Sequence, residues 1–158
     1  MYLTREEKEM LDGKYGDAIQ KSMELLIGLG ECYDAEKMIP VTSAHLLASP
    51  SILLKGGCSF VREMADKGGK FAIFTTVNPS EIDPRFWNHT DIGISGEYFS
   101  EQTALTNTLT KMGAFLTNSC TPYLVGHVPR LGQHVAWSES SAEIFGSSKD
   151  RYYNLTVS

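Results

Sequence analysis

Four short groups of residues in this chain combine hydroxyl, amide, imidazole, thiol and carboxylate chemistry. They are Ser43 and His45, then Thr75, Thr76 and Asn78, then Cys120 and Thr121, then Glu139, Ser140 and Ser141. Each group follows an apolar segment or closes a helical pattern. In an α/β scaffold such positions converge on one small anionic substrate, because ligand crevices form beyond the carboxyl ends of the strands. There, hydroxyl and amide groups bind carboxylate oxygens, and a histidine or glutamate moves protons. The same residue types also cap helices and make turns, and spacing alone leaves both readings open.

Other chemistries fit the residues poorly. A single residue separates Ser43 from His45 and no glycine elbow surrounds the serine, which argues against a serine hydrolase. His127 and His134 lie seven positions apart in a loop-like stretch, a spacing that matches no zinc motif, and His89 stands alone in Trp87-Asn88-His89-Thr90. These three histidines read as surface or core residues. Cys32, Cys58 and Cys120 are odd in number and widely spaced, which fits neither a disulfide framework nor a self-contained zinc site. Free thiols of this kind serve as small buried hydrophobes. Gly28-Leu29-Gly30 closes a helical pattern, whereas a phosphate-cradling loop would open one.

The elements that must position these residues follow from periodicity and punctuation. Thr4-x-x-Glu7 is a capping box that starts a short helix running to about Asp12. Asp17 is placed to cap a second helix, with Ile19, Met23, Leu26 and Ile27 on one face and an end at Gly30. Met38-Ile39-Pro40-Val41 reads as a brief edge strand leading into the polar turn Thr42-Ser43-Ala44-His45. Gly56-Gly57 precedes a third helix with Phe60, Val61, Met64 and Ala65 inward, closed by Lys67-Gly68-Gly69. Lys70 to Val77 is the clearest strand, ended by Asn78-Pro79. Ser80 to Glu97 reads as a long ordered loop, after which Ser100 caps a helix carrying Leu105, Leu109, Met112 and Leu116 to about Asn118. Pro122 leaves Cys120 in an irregular turn at that helix end, and the segment from Ala136 to Ala142 leads into a final helix. Helix, glycine and strand in succession make an α/β fold, a layered sheet with flanking helices.

Composition excludes whole classes of partner. The 158 residues carry 19 acidic against 14 basic side chains, a formal charge of -5, and Lys and Arg form no run. Such a surface repels phosphate backbones, so nucleic acid is not an expected partner. The longest apolar stretches, such as Leu25-Leu26-Ile27 and Phe71-Ala72-Ile73-Phe74, fall far short of a membrane span, and the opening residues lack a signal-peptide core. A cytoplasmic protein with no membrane partner is expected.

Taken in order, several segments resemble the large chain of the aconitase X family. They are Met1-Tyr2-Leu3-Thr4 with Gly13-x-Tyr15-Gly16, Ile39-Pro40-Val41-Thr42-Ser43-Ala44-His45, Thr75-Thr76-Val77-Asn78-Pro79 and Cys120-Thr121-Pro122-Tyr123-Leu124-Val125-Gly126. Val128-Pro129-Arg130-Leu131-Gly132 and Trp137-Ser138-Glu139-Ser140-Ser141-Ala142 continue the series. Collinear motifs are far more specific than any one of them.

The resemblance implies an iron-sulfur hydro-lyase acting on a small hydroxy acid such as phosphomevalonate or cis-3-hydroxy-L-proline. In such an enzyme open iron acts as Lewis acid on the leaving hydroxyl while a base takes a proton from the neighbouring carbon. It implies Cys120 as a cluster ligand, His45 and Glu139 as catalytic groups, and Ser43, Asn78, Thr121, Ser140 and Ser141 as substrate-binding groups. The family's large chain continues beyond the Glu-Ser-Ser-Ala segment into further active-site sequence and cysteines, whereas Gly146-Ser147-Ser148-Lys149-Asp150-Arg151 follows here. Residues 1–146 are therefore expected to form the family-like region and 147–158 a diverged or truncated tail. A cluster with an open iron needs three thiolates, and one expected position is present. The resemblance thus implies dependence on a small swivelling subunit and on the missing C-terminal part of the large subunit. The alternative is a catalytically inactive module of the same fold that binds a small molecule or a subunit.

Overall fold

The computed structural model of the chain describes residues 1–80 and 93–139. Ser140, Ser141, the expected final helix after Trp137, the tail 147–158 and most of the expected loop from Ser80 to Glu97 lie outside them.

Helix α1, Arg5–Leu11, begins at the expected capping box, with Thr4 accepting from the Glu7 N–H while the Glu7 carboxylate accepts from the Thr4 N–H. Helix α2, Asp17–Cys32, starts after Gly16, which at φ 96° occupies the cap position expected of Asp17. It runs two residues beyond Gly30 and buries Ala18 and Met23, whereas Ile19 and Leu26 of the expected inner face are largely exposed.

Strand β1 is Ser43–Leu47, which corrects the expected strand at Met38–Val41. Ser43, Ala44 and His45 lie within the strand, not in a turn after it. Helix α3, Pro50–Asp66, starts after Ser49 with proline in its first turn and is kinked at Leu54. Gly56 and Gly57 thus lie inside the helix and do not precede it. The end is as expected: the Gly69 N–H reaches the Met64 carbonyl at 2.8 Å, and a Cβ at position 69 would lie 2.7 Å from that oxygen. Strand β2, Phe74–Asn78, is shorter than expected and includes Asn78.

Helix α4, Gly96–Lys111, is capped by Ser95, whose hydroxyl accepts from the Tyr98 N–H. Ser100, the expected cap, bonds back to the Gly96 carbonyl inside the helix. Leu105 and Leu109 form its inner face. The chain turns at Gly113, at φ 105°, so Leu116 belongs not to the helix but to the short strand β3, Phe115–Leu116. A 3-10 turn at Pro122–Val125 and strand β4, Val135–Trp137, complete the described elements, β4 standing where a lead-in to a helix was expected.

The four strands are all parallel, in the order β3-β2-β1-β4, giving an α/β architecture. Ala48, Cys58, Val77, Leu105, Leu109 and Ala114 make the apolar core, joined by Leu46, Leu53, Val61 and Phe71. Helices α3 and α4 pack together there. Strand alternation sends Ala44, Leu46 and Val77 to that side and Ser43, His45, Thr76 and Asn78 to the other.

Candidate functional site

Register brings the polar residues of the second face into one row. His45 is paired with Thr76 on β2 and with Trp137 on β4. Two bonds continue β4 past its last residue. The Ser138 N–H donates to the His45 carbonyl at 2.9 Å, and the Ser138 hydroxyl accepts from the Leu47 N–H at 2.9 Å. This extension sets Glu139 beside the His45 ring, at the carboxyl end of the sheet. His127 arrives from outside the sheet, its N–H bound at 3.1 Å to the carbonyl of Pro122, a fully buried residue. The His127 ring lies against Phe74 and Trp137, with centroids 5.0 and 5.3 Å away.

The side chains form one continuous hydrogen-bonded series. Ser43 Oγ is 2.8 Å from His127 Nε2, and His127 Nδ1 is 2.7 Å from Thr76 Oγ1. Thr76 Oγ1 is 2.9 Å from His45 Nδ1, and His45 Nε2 is 2.6 Å from Glu139 Oε2. Asn78 Nδ2 donates to Glu139 Oε1 at 2.8 Å. All six residues are buried, His45 and Thr76 completely.

Burial, reinforced by the neighbouring His45, holds the His127 imidazole below its ordinary range, so it is neutral near pH 7. Glu139 is held at both oxygens, by an imidazole and by an amide. Asn78 Oδ1 is different, because it is buried with no hydrogen-bond partner among the described residues. A buried lone acceptor carries a desolvation cost that a donor can relieve. A substrate hydroxyl is such a donor, and the Glu139 carboxylate beside Asn78 is a proton acceptor.

Cys120 follows β3, and its thiol is free and exposed. Its neighbours Ser119 and Thr121 share a hydroxyl-hydroxyl hydrogen bond of 2.6 Å. Among the described residues neither Thr121 nor Cys120 hydrogen-bonds to the buried series; both lie just before the 3-10 turn that leads to His127.

A family model described as the aconitase X first domain matches residues 1–148. The chain belongs to the aconitase X family. It is 37% identical over 149 residues to the phosphomevalonate dehydratase large subunit of Methanocaldococcus jannaschii, covering 94% of this chain and 36% of that protein. With the cis-3-hydroxy-L-proline dehydratase of Hypocrea jecorina it shares 30% identity over 148 residues, covering 92% of this chain and 24% of that one. A crystal structure of Thermococcus kodakaraensis aconitase X in its holo form superposes with a TM-score of 0.76 at 38% identity, over 90% of this chain and 34% of that one. The chain thus spans about a third of the length of the phosphomevalonate dehydratase large subunit and of the solved aconitase X chain, and about a quarter of the cis-3-hydroxy-L-proline dehydratase.

Of the residues singled out in the sequence, the fold gathers Ser43, His45, Asn78 and Glu139, and places Cys120 and Thr121 on an adjoining turn. Ser140 and Ser141 lie outside the described residues. The gathered four are linked by Thr76, which the sequence placed among the polar groups without a role of its own, and by His127, which it read as a surface or core residue. For Thr76 the available signal was alternation, which puts it on the same strand face as Asn78. Nothing in the spacing announced His127, which meets Ser43 across 84 positions of sequence. Among the described residues no group of three or more His, Cys, Asp or Glu could hold a metal. Cys120, one exposed soft donor, fits the part of a single ligand in a site whose other ligands lie elsewhere.

Proposed function

We propose that this chain supplies the first part of an iron-sulfur hydro-lyase of the aconitase X type, acting on a small hydroxy acid such as phosphomevalonate or cis-3-hydroxy-L-proline. The observation that carries the reading is the buried His45, Glu139 and Asn78 group at the carboxyl ends of parallel strands, with an acceptor that has no partner among the described residues. Asn78 Oδ1 receives the substrate hydroxyl, and Ser43 and Thr121 contribute hydroxyls toward its carboxylate. Ser140 and Ser141 join them in binding substrate. Glu139 Oε2 takes the proton from the carbon next to the leaving group, and His45 holds that oxygen in place. The cluster, when bound, supplies a Lewis acid for the departing hydroxyl. Cys120 would hold the cluster as a thiolate, which a reducing cytoplasm preserves.

Because the chain spans about a quarter to a third of these relatives, activity requires the remaining large-subunit sequence and the small subunit. The test is anaerobic reconstitution with iron and sulfide in the presence of the complementary part of a relative's large subunit and its small subunit. Cluster retention and dehydration of either substrate are expected with the wild-type chain and are lost with Cys120→Ala. A complemented assembly that holds a cluster equally well with Cys120→Ala overturns the ligand assignment. One that holds cluster and dehydrates neither substrate overturns the activity.

A further inference from the structure

We propose that Thr76 and His127 are positioning residues that fix where the proton of His45 sits, and thereby keep the His45 Nε2–H on the Glu139 carboxylate. The proposal deepens the reading of Glu139 as the proton-accepting group and rests on that reading for its catalytic consequence.

The argument turns on the Thr76 hydroxyl. It has one proton and sits 2.9 Å from His45 Nδ1 and 2.7 Å from His127 Nδ1. Two imidazole nitrogens cannot share that one proton, so one ring accepts from Thr76 and the other donates to it. The Ala44 carbonyl, at 3.5 Å, lies at the outer limit of hydrogen bonding and competes poorly. Thr76 therefore forces the two Nδ1 atoms into opposite states, one with a proton and one without.

Glu139 decides which ring is which. Above the ordinary histidine range, about 6.5, each imidazole carries a single proton. His45 Nε2 lies 2.6 Å from Glu139 Oε2, and Asn78 Nδ2 donates to the other carboxylate oxygen at 2.8 Å. A bare Nε2 lone pair would repel an ionised carboxylate at that distance, so the His45 proton is on Nε2 and its Nδ1 accepts from Thr76. His127 is then the ring that donates to Thr76, through Nδ1–H, and in the chain without substrate its Nε2 accepts from Ser43 at 2.8 Å. Burial keeps His127 neutral, as this arrangement requires. All of these residues are buried, so water is a poor substitute for any of the partners. The consequence falls on Glu139. The Thr76 O–H on His45 Nδ1 opposes movement of the ring proton away from Nε2, and the His127 Nδ1–H keeps the Thr76 proton turned toward His45. The Nε2–H occupies one lone pair of Oε2 and leaves another for the substrate proton. Neither Thr76 nor His127 needs to touch the substrate to have this effect.

The test reads nitrogen-15 labelled histidine by NMR in the full chain, at about pH 8 so that both rings are neutral. His45 is expected to carry its proton at Nε2 and His127 at Nδ1. Thr76→Val keeps the shape of the side chain and removes the hydroxyl. It is expected to move the His45 Nδ1 resonance toward that of a nitrogen without a donor and to convert His127 to its Nε2–H form, with Ser43 as acceptor. Thr76→Ser is expected to keep the wild-type resonances. A packing role alone would leave His127 protonated at Nδ1 in all three chains. Two rings protonated at the same nitrogen in the wild-type chain, a reading that needs no variant, overturn the proposal, as do unchanged histidine resonances in folded Thr76→Val. In the complemented assembly Thr76→Val is expected to lower kcat about tenfold while KM stays within about twofold, and Thr76→Ser to restore kcat. An active assembly in which Thr76→Val leaves kcat unchanged overturns the positioning role. If the histidine readings hold while the wild-type assembly dehydrates neither substrate, the proton arrangement stands and the activity assignment falls.

Discussion

Truncating Glu139 to alanine withdraws the acceptor from two buried donors at once, His45 Nε2–H at 2.6 Å and Asn78 Nδ2 at 2.8 Å. An orphaned buried donor costs about 1–3 kcal/mol, so two cost about 2–6 kcal/mol before any water enters the space. For a chain of this size each kcal/mol lowers Tm by about 2–4 °C, which gives a fall of at least about 4 °C. Glu139→Gln separates this account from simple loss of volume. Its amide oxygen can still accept from His45, and its amide N–H meets Asn78, whose side chain can turn so that the presently unpartnered Oδ1 accepts. The expected cost is therefore below about 1 kcal/mol, within the range of one exchanged hydrogen bond. The assay is urea unfolding followed by far-UV circular dichroism, with Tm from calorimetry. Equal destabilisation by alanine and glutamine, or a cost for alanine under 1 kcal/mol, refutes the claim that the carboxylate organises this face.

Three further outcomes are expected. Because the folded state keeps His127 neutral, the unfolded chain binds a proton that the fold refuses once pH drops below the unfolded histidine range, near 6.5. Stability is thus fully present above that value and declines as pH falls toward the depressed folded value, by up to about 1.4 kcal/mol per pH unit from this group. Urea unfolding from pH 7.5 down to 5 should show a decline that His127→Gln flattens, and an identical pH slope in that variant would count against it. Leu54 holds φ 56° and ψ -177° while 66% exposed, a conformation that suits glycine. Leu54→Gly should therefore stabilise the chain by about 1 kcal/mol in the same assay, and a lowered midpoint would contradict the strain. Phe74 and Phe115 lie together near the edge of the sheet with ring centroids 5.4 Å apart and are 43% and 60% exposed. Such an exposed aromatic pair favours association, so Phe115→Ser should reduce self-association in sedimentation velocity, and a wild-type chain that stays monomeric at high concentration would remove the reason for that expectation.

Helix chemistry was legible where it is local. The Thr4 and Glu7 capping box, the glycine close of α3 and the Leu105 and Leu109 face of α4 each depend on residues within a few positions of one another. Strands were harder to read. Ser43-Ala44-His45 looked like a turn because serine and histidine favour exposed, irregular backbone. They form a buried strand because β2 and β4 complete its hydrogen bonds on both sides and the side chains find polar partners. Leu116 repeated the helical period of Leu105 and Leu109 but followed Gly113, whose positive φ takes the chain out of the helix.

The order of motifs along the chain was by itself enough to place it in the aconitase X family and to single out Ser43, His45, Asn78 and Glu139. It carried no information on which of them touch, or that Thr76 and His127 lie between them. Those contacts join residues 31 to 94 positions apart. The parallel register sets them, by stacking β1 between β2 and β4, and so does the turn at Pro122 that lays His127 over the face. Hydrogen bonding is short-ranged and directional, and its partners are therefore settled only when the strands have paired.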